Sequence, residues 1–549
     1  MTLEVGMSKV AEYLRQHIVG EVTTAAGMRD FFSTDGSIFT VTPQMVVYPR
    51  TTDDVRKIAR FSWQLAERGK SIAITARGAG TDQGGGAIGD GISLVFPAHM
   101  NKLLELDTKK NIARVQPGIN YRNFQDTVKT HGRFLPPYPS SIDYSTIGGA
   151  VANNASGERT IKYGDTRTFV HGLKVVLANG ELIETGRLSK RELNRKKGLA
   201  TLEGEIYRQL DGLLSDNREL VSTIQKNTSK NTAGYDLIDV KRKDGSFDLT
   251  PLFVGSQGTL GVITEVLLKV IPNNMHRTLA VIGFESIQAA GKVLIDIKNL
   301  QPAALEMVDN NLLAFVSEHY PEQLKGLVEP PYPQVLLLVE FDDIGRGIQA
   351  RKAKRLAKIV KKVTTDFQIT SDYEEREELW KIRHSAAAVL SHAIGKKKAL
   401  PIIEDGVVPL EKLEEFIGAI YELFAKYDLK SAVWGHAGDA NLHIQPFMDL
   451  ASLGDRQKAF KLMDEYYALV TKMGGSTAGE HNDGRLRAPY LSSLYGEEIY
   501  KLFEATKMIF DPHAILNPGV KIGVTRDDQL KSLRHEYTID HLGNHLPRT

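Results

Sequence analysis

His436 and His443 stand seven residues apart in the run Trp434-Gly435-His436-Ala437-Gly438-Asp439-Ala440-Asn441-Leu442-His443-Ile444-Gln445, and Gly479-Glu480-His481 follows the turn GGSTAG further on. Two neutral imidazoles and one carboxylate suit zinc, manganese or iron. With a fourth position open, such an ion can act on a substrate. On an unbroken strand, residues seven apart face opposite sides, so Gly435 and Gly438 must bend the chain for both rings to reach one ion. A bare pair at this spacing more often hydrogen-bonds locally, and spacing alone favours that reading. Trp380-Lys381-Ile382-Arg383 offers a guanidinium whose fork fits a carboxylate; a helix-surface arginine is the plainer alternative. His384 and His392 in the same stretch read as structural, and Lys396 to Lys398 as a solvated run.

A second group of residues is chemical through its backbone. Arg77-Gly78-Ala79-Gly80-Thr81-Asp82-Gln83-Gly84-Gly85-Gly86 follows an apolar strand, and consecutive amides in such a run make a nest for phosphate. A dinucleotide fingerprint would need a helix to open at the last glycine. Here AIGDGISLVFP follows, so a strand–loop–strand cradle fits better. Pro117-Gly118 ends another strand. Ser145-Thr146-Ile147-Gly148-Gly149-Ala150-Val151-Ala152-Asn153-Asn154-Ala155-Ser156-Gly157, with Lys162-Tyr163-Gly164 after it, and Gly255-Ser256-Gln257-Gly258-Thr259-Leu260-Gly261 are likewise dense in small residues. Each alone is an ordinary turn; together they suggest backbone crowding around one large flat ligand.

The elements that must position these groups are read from the pattern. Residues 8 to 20 form a short amphipathic helix, and TTDDVRKIARFSWQLAERGK a longer one with Thr52 as N-cap. SIAITARG, GISLVFP, NIARVQPG and KVVLANGELIETG are strands. Residues 190 to 245 are polar and largely helical. After Pro272 the pattern restarts, with strands TLAVIGF, VLLLVEF and SAVWGH separated by helices at 345 to 362 and 374 to 394. Strands alternating with helices indicate α/β organisation, with a second unit from about 273 to 510. The tail after Asn517 is helical and charged.

A chain of 549 residues exceeds one core. With 69 basic and 67 acidic residues the net charge is +2, which gives no case for a nucleic-acid or membrane-surface partner. There is no cysteine, so disulfides, thiolate nucleophiles, thiolate zinc sites and cysteine-ligated iron–sulfur clusters are excluded. The N-terminus lacks an apolar run long enough for a signal peptide or a membrane span. A cytoplasmic location is expected, with a peripheral place at the inner membrane face as the alternative.

The order PRTTDDV, TARGAGTDQGGG, QPG, TIGGAVANNASG with KYG, GSQGTLGVITE and ILNPGVKIG, from about residue 33 to about residue 522, resembles FAD enzymes of the vanillyl-alcohol-oxidase or PCMH type. Within them it is similar to the branch of glycolate oxidase, D-lactate dehydrogenase and D-2-hydroxyglutarate dehydrogenase. The resemblance implies an α+β chain: an N-terminal helical segment (1–40), a PCMH-type FAD-binding domain (41–272), a ferredoxin-like substrate or cap domain (273–515) and a C-terminal FAD-contacting segment and tail (516–549). It implies that Arg77, Gly78, Ala79, Gly80, Thr81 and Asp82 wrap the FAD pyrophosphate. Pro117, Gly118, Ser145, Thr146, Gly148, Gly149, Asn153, Ser156, Gly157, Gly258, Gly261, Val262 and Ile263 would line the rest, with Asn517 reaching in from the C-terminal segment. Gln257 stands where relatives usually carry Glu. The glycine loop has no histidine or cysteine, so FAD is expected to bind without a covalent bond.

The same resemblance makes His436, His443 and Glu480 the ligands of a divalent metal, His481 the general base, Gln445 a substrate-contacting amide and Arg383 the grip on the substrate carboxylate. Ile403, in PIIEDGVVP, stands where hydroxyglutarate enzymes have a lysine, which disfavours a second substrate carboxylate. The implied activity is oxidation of a small D-lactate-like 2-hydroxy acid to the 2-oxo acid, with hydride passing to flavin. Electrons leave to a separate quinone, cytochrome, flavoprotein or iron–sulfur protein, and a homodimer stays open. D-2-hydroxyglutarate or glycolate oxidation is the near alternative. A flavin-free metal-dependent hydrolase leaves the glycine loops unexplained, and an inactive flavin-binding subunit leaves Arg383, Glu480 and His481 unexplained.

Overall fold

Short apolar β-branched runs set the strands, and their periodicity decides what covers them. The computed structural model describes residues 2–224, 227–386, 393–430 and 432–543. A first helix α1 (Thr2–His17) starts earlier and ends sooner than its apolar pattern suggests. A small sheet follows, from β1 (Glu21–Thr23), β2 (Met45–Tyr48), β3 (Ile74–Arg77) and β4 (Ile92–Val95) in the order β1-β2-β4-β3. Helix α2 (Thr52–Glu67) lies between β2 and β3 and is capped by Thr51, not Thr52: the Thr51 hydroxyl accepts from the Asp54 amide, completing a capping box. The glycine-rich run leaves β3 and returns as its parallel neighbour β4, Ile74 opposite Ile92, the strand–loop–strand arrangement the sequence suggests.

A second sheet is wholly antiparallel: β5 (Leu103–Asp107), β6 (Ile112–Val115), β7 (Val170–Val176), β8 (Leu182–Glu184) and β9 (Val262–Lys269), in the order β5-β6-β9-β7-β8. Between β6 and β7 lies α3 (Ile147–Asn153), capped by the Thr146 hydroxyl. Among the described residues of the stretch at 190 to 245, helices occupy Lys190–Lys197, Leu202–Asp216 and Arg218–Ser222.

The third sheet carries the histidines. It comprises β10 (Thr278–Phe284), β11 (Ala304–Asp309), β12 (Val335–Phe341), β13 (Phe367–Thr370), β14 (Val433–His436) and β15 (Asn441–Ile444), in the order β13-β10-β12-β11-β14-β15. Every pairing is antiparallel, so this unit is α+β and not the α/β alternation read from the pattern. Helices α4 (Ile287–Lys298) and α6 (Arg346–Val360) cover one face; α5 (Asn310–His319) and α7 (Tyr373–His384) cover the other. Ala280 and Ile282 of β10 join the first core, while Leu279 and Val281 join the second. A strand apolar on both faces reads as a continuous apolar run. Helix α7 stops at His384, and His392, like Ser431 of SAVWGH, lies outside the described residues. The tail is helical at Arg526–Lys531 and Asp540–Gly543. Among the described residues no helix is long and apolar enough to cross a membrane.

Candidate active site

The seven-residue spacing of the histidines resolves into a hairpin. Strand β14 ends at His436, a tight turn through Ala437–Asp439 and a left-handed Ala440 reverse the chain, and β15 brings His443 opposite Trp434. Opposed residues share a face, as do residues two apart, so His436 and His443 become diagonal neighbours on one side. Their ring centroids are 5.2 Å apart. Glu480 reaches both: its Oε1 lies 3.1 Å from His436 Nε2 and 3.2 Å from His443 Nε2. One ligand atom from each of the three falls within 4.8 Å of the others, and all three residues are buried. This donor set fits a divalent transition metal.

Buried carboxylates stand behind these rings. Met307 pairs with Gly435 across β11 and β14, which sets Glu306 beside His436, Oε1 at 2.7 Å from Nδ1. The other oxygen of Glu306 accepts from Arg383 Nε on α7 at 2.8 Å. Glu404 accepts from His481 Nδ1 at 2.5 Å, lies 3.4 Å from His443 Nδ1, and is ion-paired with Arg487. Asp405, held at φ 76°, accepts from the backbone amides of Glu480 and His481 at 2.9 and 2.8 Å. Lys230 donates to the second oxygen of Glu480 at 2.7 Å, and the Ser156 hydroxyl donates to the same atom at 3.0 Å.

Electrostatics follow from this crowding. Burial disfavours a charged His436, yet Glu306 and Glu480 raise it to about 9. Burial likewise opposes charge on His481, but Glu404 and Asp405 raise it to about 10. Both rings therefore hold their protons at neutral pH when no cation is present. Against its burial, Glu404 is held below the carboxylate range by His481 and Arg487, and Glu480 by Lys230 and His436.

Beside this cluster runs a cleft of about 770 Å³. Of the positions expected to hold FAD, Arg77, Gly78, Ala79, Gly80, Thr81, Asp82, Pro117, Thr146, Gly148, Gly149, Asn153, Gly258, Gly261 and Ile263 line it. The Asp82 carboxylate accepts from the amides of Gly84 and Gly86 and from Asn153, bracing the loop, and burial beside Asp35 raises it to about 6. The buried Arg77 guanidinium lies over the Phe32 ring and supports the loop from behind. A Cβ on Gly258 would meet only Ala76, at 3.7 Å, so its backbone lies open to the cleft. A cradle walled by small residues and backbone fits a large flat cofactor.

The remaining expected contacts lie outside that lining. Gly118 and Gly157 are packed against the carbonyls of Phe96 and Tyr138, where a Cβ would come within 2.4 and 2.2 Å. Val262 is a core residue, Ser145 is buried nearby, and Ser156 faces Glu480. Asn517 ties the loops together: its amide donates to the carbonyls of Gly86 and Gln257 at 2.8 and 2.7 Å. Gln257 in turn accepts from the Gly484 amide. His541, in the tail, bonds the Gly80 carbonyl at 2.9 Å. Cleft and cluster adjoin, since Asn482, next to His481, donates to the Asn153 carbonyl at 3.0 Å.

Ile403 is fully buried in the core with Ile402, Val408 and Leu442, so its side chain is core packing and gives no measure of substrate size. His384 is exposed and stacks on Trp380, as a structural residue would. Gln445 is buried on the same side of the chain as His443, its Oε1 without a hydrogen-bond partner among the described residues. Sequence reasoning did not single out Glu306, Glu404, Asp405, Lys230 or Asn482. Glu404 and Asp405 had a visible signal, two adjacent carboxylates inside an apolar segment, and Glu306 stands as a single carboxylate between Leu305 and Met307 in β11.

Fold and site together define a flavin-binding chain with a polar cluster at the cleft edge, and comparison with known proteins agrees. Residues 43–186 match the family described as "FAD binding domain", and residues 273–520 match "FAD linked oxidases, C-terminal domain". The chain belongs to the FAD-linked oxidase family. It is 32% identical over 482 residues to "Glycolate oxidase subunit GlcD" of Bacillus subtilis, covering 87% of this chain and 88% of that one. It is 30% identical over 517 residues to "D-2-hydroxyglutarate dehydrogenase" of Pantoea ananatis, covering 92% of this chain and 50% of that one, so it spans about half the length of that relative. It is 29% identical to "D-lactate dehydrogenase" of Anaerostipes hadrus, over 87% of this chain and 89% of that one. Among solved structures, p-cresol methylhydroxylase shares the fold with a TM-score of 0.68 at 15% identity, over 95% of this chain and 98% of that one.

Proposed function

We propose that this chain oxidises a small 2-hydroxy acid, D-lactate or a close analogue, to the 2-oxo acid. The observation that carries the reading is the contact of two sites: a cradle for a flat cofactor, and a His436–His443–Glu480 donor set joined to it through Asn482 and Asn153. FAD held by residues 77–82 and the facing glycine loops supplies the hydride acceptor. A divalent cation held by His436, His443 and Glu480 would supply a Lewis acid for the substrate hydroxyl, and its charge would take the place of the ring protons that the carboxylates otherwise hold.

The protein's own groups divide the remaining work. Arg383 spends only Nε on Glu306; among the described residues its terminal nitrogens make no hydrogen bond, which leaves the bidentate edge for the substrate carboxylate. Gln445 Oε1 is a second unsatisfied group on the substrate side. His481 takes the hydroxyl proton: Glu404 backs its Nδ1, and its Nε2 faces the cluster, 3.6 Å from Glu480. Lys230 and Arg487 are each matched to a carboxylate, Glu480 and Glu404. That supports a substrate with one carboxylate. Electrons then pass to a separate acceptor. The test is an anaerobic screen of D- and L-hydroxy acids against the purified protein, following flavin bleaching. D-lactate should bleach fastest and L-lactate should not bleach it; a colourless protein or indifference to every acid refutes the reading.

A further inference from the structure

The whole-chain charge of +2 conceals a strong local separation. From Ile344 to Thr365 the sequence IGRGIQARKAKRLAKIVKKVTT contains no acidic residue. At about 100° per residue, Arg351, Lys354, Arg355, Lys358, Lys361 and Lys362 fall within an arc of about 120° on α6 and its extension. All six are exposed. Leu356 and Val360 point the opposite way, into the core. None of the six has an ion-pair partner among the described residues; Lys352, to the side of the arc, is paired with Asp343. Across the sheet, α7 exposes Glu374, Glu375, Glu377 and Glu378. The outer side of α6 is therefore cationic and that of α7 anionic.

Apolar side chains project at the N-terminal end of the cationic face. Ile344 is 79% exposed and Ile348 39%. Asn274 donates to the carbonyls of Asp342 and Asp343, which brings Met275, 66% exposed, beside the same turn. We infer that this face docks the enzyme on an anionic bilayer surface, with the α6 cations on lipid headgroups and the Ile344, Ile348 and Met275 tips at the acyl boundary. Unpaired cations beside exposed aliphatic groups are the pattern of an interfacial helix. A nucleic acid is a poorer match, because the stretch offers no aromatic ring for base stacking. The acidic α7 face is turned away from the surface, which orients the molecule.

The experiment is cosedimentation of the FAD-loaded full chain with vesicles of phosphatidylcholine alone, or of phosphatidylcholine with phosphatidylglycerol. Binding should require phosphatidylglycerol and fade as salt is raised. The double variant Arg355→Glu, Lys358→Glu should weaken it at least about 25-fold, from roughly five-fold per cation. Ile344→Asp should weaken it several-fold, and Arg191→Glu on a separate exposed helix should bind as the parent does. All four positions are on the surface, so an unchanged flavin spectrum confirms that each variant is folded. Equal binding to both vesicle types, binding to neither, or indifference to the double reversal overturns the inference. So does retention on duplex DNA or an acidic protein with no vesicle binding.

Discussion

Glu306→Gln separates a carboxylate that orients a metal ligand from one that merely fills space. Glu306 is fully buried and spans two donors, His436 Nδ1 at 2.7 Å and Arg383 Nε at 2.8 Å. Glutamine has one acceptor oxygen for those two donors and turns its amide NH2, itself a donor, toward the other. A charge-assisted hydrogen bond worth about 1.5–3 kcal/mol is lost, and Arg383 loses its buried counter-charge, a break that costs about 3–5 kcal/mol in comparable pairs. Since the two costs overlap, a loss of about 4 kcal/mol is expected, and the melting temperature should fall by about 10 °C. Metal affinity should fall about 10- to 100-fold, because a ligating imidazole relies on a partner at its other nitrogen for tautomer and orientation. The control is Glu340→Gln. Glu340 lies on the same face of the sheet, bonded to Trp380 Nε1 at 3.0 Å and Arg159 at 2.7 Å, and touches no ligand. Melting curves and chelator competition for zinc or manganese on the apoprotein read the two effects apart. Comparable destabilisation is expected, with a loss of metal affinity only at Glu306. Equal loss of affinity in both variants, or in neither, refutes the orienting role.

His481→Ala should keep FAD and metal yet slow flavin reduction by D-lactate at least about 100-fold; stopped-flow reduction at the parental rate would leave the base unassigned. Acid precipitation should carry the yellow colour into the supernatant, and colour retained in the pellet would establish a covalent bond. Asp309 is buried at the end of β11, accepting from the Leu312 amide and the Tyr421 hydroxyl, and burial raises it to about 7. Its neutral form is favoured in the folded state, so ionisation costs stability progressively as pH rises from about 4 to about 7. Asp309→Asn should therefore match the parent near pH 4 and gain on the order of a few kcal/mol by pH 8; a pH-independent difference in melting temperature would contradict this.

What the sequence revealed depended on whether a signal was local. Largely apolar runs such as TLAVIGF and VLLLVEF read as strands, and in the fold both are buried on both faces of the sheet. The glycine loop between two parallel strands was equally legible, since the need for close backbone approach is written at the position itself. The histidine pair was visible, but its geometry was not: a hairpin turn, not a bend in one strand, makes a seven-residue spacing converge. Antiparallel order within the third sheet was hidden, because pairing is decided between segments far apart in the chain. Asn517 and Ser156 were visible as cleft residues only by resemblance; in the fold one clamps two loops and the other bonds Glu480.

The carboxylates behind the cluster show why the rest stayed hidden. Glu306, Glu404 and Asp405 each interrupt an apolar stretch, and a buried carboxylate is costly unless paired. That cost made each an anomaly that sequence could register, but the partner that resolves it lies far along the chain. Glu306 waits on α7 and β14, while Glu404 waits on Arg487 and His481. The charges of this site are therefore mutually dependent: each is tolerable in the interior only because the others arrive. Such a site forms only when both units and the closing segment at 476–487 have docked, so metal binding and the final packing should appear together in folding.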